Sequence, residues 1–213
     1  MDLNVNTLAT KVGIPTELAS EWLESNPSKD LPYHGNQHAL EVAAYSQKLA
    51  DSLGLSAKAT THLTAAGLLH DYNHTGDRTV SDTININRAL SYVKEQKETL
   101  EENGLDVKQL TILIKATLRP APKAPPSLNA RVLADADLMF WVDPETTLAE
   151  MRSRMDSLAE EQGVEVTVES THEFIKNSKF LTTPAWNFQR QSIWNSSLEV
   201  VVQKFQNDLS TQQ

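Results

Sequence analysis

Apolar side chains recur at three- and four-residue intervals along most of the chain, the period of a helix with one buried face. Residues 7–26 read as two short helices broken at Gly13-Ile14-Pro15, with Thr16 capping the second and Leu18, Trp22 and Leu23 on its apolar face. Leu40, Val42, Ala43, Leu49 and Leu53 mark a helix over 39–53, closed by Gly54. Ser56 caps the next, which runs through the apolar stretch 65–69 to Asp71, and Gly76 ends that segment. A long helix is predicted from Ser81 or Asp82 to Glu102, stopped by Asn103-Gly104, and Asp106 caps another carrying Leu110, Leu113, Ile114 and Leu118. Residues 119–127 hold four of the nine prolines and predict an extended loop. Helix returns over 127–142, from Pro144 to Gln162, and over 168–181 and 186–209. Only Val164-Glu165-Val166-Thr167-Val168 alternates as a strand would. The expected class is all-α: a short N-terminal helical pair (residues 1–28) and one helical domain (29–213) with extra C-terminal helices.

Composition narrows the partners. At 213 residues the chain is long enough for one ample core. A net charge of −9 argues against a nucleic-acid-binding face. The amino-terminal pair has a faint helix-turn-helix pattern, but Glu17, Glu21 and Glu24 would sit badly against phosphates, so it reads as a pair packed on the domain edge. With no cysteine, disulfides and thiolate metal sites are excluded, which fits a reducing cytoplasm. The first residues lack the basic and apolar regions of a signal peptide, and no apolar run approaches a membrane span. The expectation is a cytoplasmic protein without a membrane partner.

The chemistry concentrates in Tyr33-His34-Gly35-Asn36-Gln37-His38 and Leu68-Leu69-His70-Asp71-Tyr72-Asn73-His74-Thr75-Gly76, which hold four of the six histidines. A His-Asp doublet at the end of an apolar run is costly unless something compensates it, and a divalent cation takes neutral imidazole and carboxylate as ligands. On a helix the four-residue spacings of His34 to His38 and His70 to His74 would put each pair on one face, with Asp71 about 100° from His70. A further anionic ligand is offered by Asp135 or Asp137, which lie about 200° apart on a helix, so only one can face the same ion. His62 and His172 carry no motif and read as surface residues. Arg119 and Lys123 make the Pro-rich loop either a rim over a phosphate site or a plain connector. Arg78, Arg88 and Lys115 read singly as solvated charges.

Together the pattern His…His-Asp…Asp resembles the HD-domain superfamily of metal-dependent phosphohydrolases. Tyr33-His34-x-x-x-His38 with His70-Asp71-x-x-His74-x-Gly76 is similar, more narrowly, to the catalytic domain of cyclic-nucleotide phosphodiesterases, whose signatures are Tyr-His-Asn-x-x-His and His-Asp-x-x-His-Pro-Gly. The segment Ile84-Asn85-Ile86-Asn87-Arg88-Ala89-Leu90 is similar as well, and the resemblance covers roughly residues 32–140. The chain departs from it at Gly35, where Asn36 comes one place later, at Thr75 in the proline position, and in being shorter. The resemblance implies an all-helical HD domain binding one or two divalent ions (Zn, Mn, Fe, Co, Ni or Mg), ligated by His38, His70, Asp71 and Asp137, with Asp71 bridging to a second ion. Asp135 would then be a supporting or solvent-facing group. It further implies His34 as general acid, His74 beside the activated water and Tyr33 as a pocket wall. Asn73, Arg119, Lys123 and Gln191 would contact substrate, with Gln189 an alternative to Gln191 and Phe188 or Trp194 beside it.

The implied activity is hydrolysis of a cyclic or short (oligo)nucleotide phosphodiester by metal-activated water. A 5′-nucleotidase or deoxynucleoside triphosphohydrolase is the alternative, and a catalytically silent nucleotide-binding module is the alternative of another class. Asn73-His74, where alarmone hydrolases carry Glu-Asp, counts against that branch, as the lack of histidine between Asp77 and Asp143 counts against the cyclic-di-nucleotide branch.

Overall fold

Asn4 opens the first helix by accepting hydrogen bonds from the Asn6 and Thr7 N–H groups, and Gly13 closes it with a left-handed φ of 74°. The computed structural model describes residues 3–119, 124–143, 145–163, 165, 167, 173 and 176–189, and within these it excludes the side chains of Leu148 and Ala149. The helices are α1 (Val5–Val12), α2 (Thr16–Glu24), α3 (Asn36–Ser52), α4 (Ala57–Leu69), α5 (Asp82–Glu95), α6 (Lys97–Glu102), α7 (Val107–Lys115), α8 (Leu128–Ala136) and α9 (Leu148–Gln162), with a 3₁₀ turn at Met139–Trp141. Among the described residues there is no strand, so the all-α expectation holds. No helix there is long and apolar enough to cross a membrane. Residues 164, 166 and 168 of the alternating run lie outside the described residues, as do half of 168–181 and all of 190–209.

The short loop between α3 and α4 makes them antiparallel neighbours, and they form the centre of the bundle. Gly67 sets how closely they approach: a Cβ there would lie 2.8 Å from both the Cα and the backbone N of Ala43. The close crossing brings His38, in the first turn of α3, against His70, at the end of α4. α7 and α8 pack on this pair, and Leu8, Ala9, Ile14, Leu18, Ala19, Trp22 and Leu23 of the amino-terminal helices enter the same core. Trp22 is 1 % exposed.

Several boundaries differ from the sequence pattern. Pro15, rather than Thr16, occupies the cap position of α2. The helix predicted over 82–102 is two, α5 and α6, which meet at Gln96; the break directs Leu100 and Leu105 into the core. The helix predicted over 127–142 ends at Ala136 before the 3₁₀ turn, and α9 starts at Leu148 behind a Thr147–Glu150 capping box rather than at Pro144. His62 is not a surface residue. It is buried in α4, where its Nδ1–H donates to the Lys58 carbonyl at 2.8 Å and its Nε2 accepts the Asp106 N–H at 2.9 Å, stapling α4 to the start of α7. His172 lies outside the described residues.

Candidate metal centre and its cavity

α4 stops at Leu69, so His70 sits at its C-cap and residues 71–76 form a turn, not the helical continuation that the four-residue spacing suggested. Asn73 takes a left-handed φ of 62°, which Asn tolerates, and this reverses the chain. The loop after α2 clamps the turn. Asn26 Oδ1 accepts the Asn73 N–H at 2.9 Å, Ser28 Oγ donates to the Asp71 carbonyl at 3.1 Å and accepts the His74 N–H at 3.2 Å, and Tyr72 OH donates to the Ser25 carbonyl at 2.9 Å. Asn26 and Ser28 are themselves buried. Asn73 is thereby a turn residue and is not among those lining the cavity described below. His34 likewise precedes α3, so its approach to His38 owes nothing to a shared helical face.

Four side chains converge from α3, the end of α4 and the end of α8. His38 Nε2 lies 3.2 Å from Asp137 Oδ1 and 3.5 Å from Asp71 Oδ2; His70 Nε2 lies 3.1 Å from Asp71 Oδ2 and 3.4 Å from Asp137 Oδ1. The His70 tautomer tests whether a cation fits. Its Nδ1–H donates to the Gly67 carbonyl at 2.8 Å, which leaves Nε2 as a lone pair, buried, without a hydrogen-bond partner and aimed at two carboxylates. Acceptor facing acceptor is repulsive until a cation lies between them. The spacings also match the edges of a coordination shell with bonds of about 2.1 Å, roughly 3.0–3.4 Å. The residues therefore fit a divalent ion. Without an ion, protons take its place: burial opposes charge on these groups, yet Asp71 and Asp137 raise the His70 pKa well above 6.5, and the protonated imidazoles hold both carboxyls well below the ordinary range.

Asp135 and Asp137 diverge at the end of α8. Asp137 faces the imidazoles, whereas Asp135, 1 % exposed, accepts the N–H groups of Leu181 and Thr182 and, at 2.7 Å, the Thr182 hydroxyl. Asp135 is thus neither solvent-facing nor beside the ion. It ties down the segment at 181–182 that leads into the helical residues 183–189.

Beside the four ligands, His34 meets Glu161 of α9, a residue that the sequence reading missed. The Glu161 carboxylate binds His34 Nδ1 and accepts the N–H groups of Tyr33 and His34 at 2.8 and 2.9 Å. Burial works against a charged His34, but the Glu161 hydrogen bond and the carboxylates of Asp71, Glu161 and Asp137 prevail, and its pKa rises above 6.5. A signal for Glu161 does exist: Arg154, Leu158 and Glu161 fall on one helical stripe (i, i+4, i+7), an ionic residue at each end of an otherwise inward face.

His74 stacks on the His34 ring with centroids 3.8 Å apart. Its Nδ1 receives the Gly76 N–H at 3.0 Å, and its Nε2 faces the Asn85 amide nitrogen at 2.8 Å. That amide is oriented by Thr75, whose N–H and hydroxyl both donate to Asn85 Oδ1. The Gly76 N–H fixes Nδ1 as the one acceptor of the neutral ring; an added proton there would set N–H against N–H, and burial lowers the His74 pKa from 6.5 to about 4. His34, His74 and Glu161 lie near enough together to hold an ion, but the Gly76 N–H already occupies His74 Nδ1, and the Tyr33 and His34 N–H groups engage the Glu161 carboxylate. Because the unfolded chain takes up a proton near pH 6.5 and the folded one near pH 4, stability is unaffected by His74 above that window. It falls as pH drops through it, by up to about 3 kcal/mol. Thermal denaturation of the chelated protein from pH 7 to 4 should show this loss, and His74→Gln should lose less; equal losses would contradict a neutral His74.

His38, His70, Asp71 and Asp137 line a cavity of about 600 Å³, which Tyr33, Thr117, Asp82, Arg78 and Arg119 also line. Tyr33 is a buried wall: its ring lies 5.2 Å from that of His38, and its hydroxyl accepts the Trp141 indole N–H at 3.1 Å. Arg119 anchors Nη2 on the Ala134 carbonyl at 2.7 Å, and its Nε is buried without a partner. Lys123, Gln191 and Trp194 lie outside the described residues. Gln189 donates to the Ser178 carbonyl at 2.7 Å, Phe188 lies under Lys48, and neither lines the cavity.

The HD domain family matches residues 36–139. Among solved structures, the chain is similar to a predicted HD superfamily hydrolase from an uncultured Thermotogales bacterium, at 20% identity and a TM-score of 0.59, over 97% of this chain and 99% of that one. That likeness is one of fold. No curated protein matches the chain in sequence.

Proposed function

The chain carries an HD domain over residues 36–139, and from that premise we propose that it is a metal-dependent phosphohydrolase acting on a nucleotide phosphoester, foremost a cyclic or short oligonucleotide diester. The observation that carries the reading is the convergence of His38, His70, Asp71 and Asp137 beside a histidine held by a carboxylate, in the lining of one cavity. The sequence resemblance in 32–140 favours the diester. The lining charges agree: among the described residues Arg78 and Arg119 are matched by Asp77 and Asp82, which suits one phosphoryl group better than three.

When bound by those four side chains, a divalent ion supplies a water acidic enough to attack phosphorus at neutral pH and charge to balance the phosphoryl oxygens. His34 does the remaining proton work. Glu161 engages its Nδ1, which leaves Nε2 to give a proton to the departing alkoxide as the P–O ester bond breaks. A bound cation cancels the help that Asp71 and Asp137 give the imidazolium, but not that of Glu161. Neutral His74 stacks against the His34 ring and fixes its plane, Tyr33 excludes water from the wall, and Arg119 supplies a positive charge on the cavity wall.

His34→Ala should retain its metal while kcat on an alkyl-leaving nucleotide diester falls about 10²–10⁴-fold. The loss should be much smaller on bis(p-nitrophenyl) phosphate, whose leaving group needs no proton. Metal analysis alongside turnover checks this, and metal lost together with rate would contradict the role.

A further inference from the structure

The cavity also holds a carboxylate that the hydrolysis does not use. We propose that Asp82 selects the substrate by accepting a hydrogen bond from a hydroxyl of the sugar that carries the scissile phosphate, so that the site prefers hydroxylated sugar phosphoesters to their deoxygenated analogues. This rests on the phosphohydrolase reading and adds to it the part of the substrate that is recognised.

Asp82 is the first residue of α5, half-buried, and lines the cavity with the metal ligands. Its Oδ2 accepts the backbone N–H of Arg119 at 2.6 Å, which fixes the carboxylate in place. Among the described residues Oδ1 has no hydrogen-bond partner. Burial first, then the charges of Asp71 and Asp137, raises its pKa, so this carboxyl lies in the electrostatic reach of the metal centre. A phosphoryl oxygen is an anionic acceptor and is repelled by Oδ1, so what Oδ1 can take from a substrate is a donor. The same backbone contact sets the cation beside the anion, since Arg119 contributes its N–H to Asp82 and holds its guanidinium in the same cavity, anchored on the Ala134 carbonyl. A positive group for a phosphoryl oxygen next to a fixed acceptor for a hydroxyl is the pattern of a sugar phosphate.

The test measures kcat/KM of the metal-loaded protein on matched pairs: 3′,5′-cyclic AMP against its 2′-deoxy form, and AMP against 2′,3′-dideoxy-AMP, with bis(p-nitrophenyl) phosphate as a sugar-free ester. The wild-type protein should prefer the hydroxylated member of a hydrolysed pair by about ten- to a hundredfold. Asp82→Asn, which keeps an oxygen for the Arg119 N–H, should reduce that preference to within about twofold at unchanged metal stoichiometry. Asp82→Ser gives the same readout should the amide variant fail to fold. Three results overturn the inference: no preference in the wild type, a preference that survives in the variant while both members slow together, or metal lost with the carboxylate. Turnover of the sugar-free ester but of no nucleotide overturns it too and leaves the phosphohydrolase reading standing. No turnover of any phosphoester overturns both.

Discussion

Replacing Asp71 with Ala should leave a folded protein that no longer retains its divalent ion and turns over phosphoesters about a thousandfold more slowly or worse. Asp71 Oδ2 stands 3.1 Å from His70 Nε2 and 3.5 Å from His38 Nε2, so an ion held there would be shared with both. Its loss leaves Asp137 as the one carboxylate against two imidazoles. Loss of a group merely supporting a ligand costs about 10- to 100-fold in affinity, and loss of an anionic ligand costs more. Elemental analysis of the purified variant and hydrolysis of a nucleotide diester, measured with and without added metal, check the result. Metal content and rate both equal to wild type would remove the basis of the metal centre.

Arg154→Ala should destabilise the fold by about 3–5 kcal/mol, although the residue lies outside the centre. Arg154 on α9 and Glu41 on α3 form an ion pair in which the residues are 7 % and 6 % exposed. The guanidinium also lies over the rings of Phe140 and Tyr33, at 4.9 and 5.4 Å from their centroids. Removing it strands a buried carboxylate and uncovers two aromatic faces. The double variant Glu41→Met, Arg154→Met should recover much of the loss, because the larger part of the penalty is the stranded charge and not the pair's net attraction. Urea denaturation of the three proteins decides the matter, and a single-variant loss under about 1 kcal/mol would show that the pair does not hold α9 to the bundle.

How far the sequence was legible follows from how local each cause is. Ser56 and Asp106 cap α4 and α7 as read, because a cap is settled within three residues. The four converging side chains were legible because imidazole and carboxylate intrude on an apolar pattern, and each segment shows that intrusion on its own. The means of convergence was not: the turn that carries Asp71 and His74 is held by Asn26 and Ser28, whose influence is not written near the motif. Glu161 lies 127 positions from His34, and its one trace in the sequence, the stripe it shares with Arg154 and Leu158, does not say which residue it meets. Asp135 illustrates the converse: an intruding carboxylate was recognised, but its partners are backbone groups at 181–182 that carry no side-chain signature. His62 failed for the same reason, since a buried imidazole satisfied by two main-chain groups needs no motif.

The span that the HD family recognises, 36–139, encloses all four cation ligands but neither His34 nor Glu161, and it omits Asn26 and Ser28, which hold the turn carrying Asp71. The inherited unit and the working unit therefore do not share borders. An excised core would keep His38, His70, Asp71 and Asp137 but lose the clamp on the turn that carries Asp71, together with the His34–Glu161 pair.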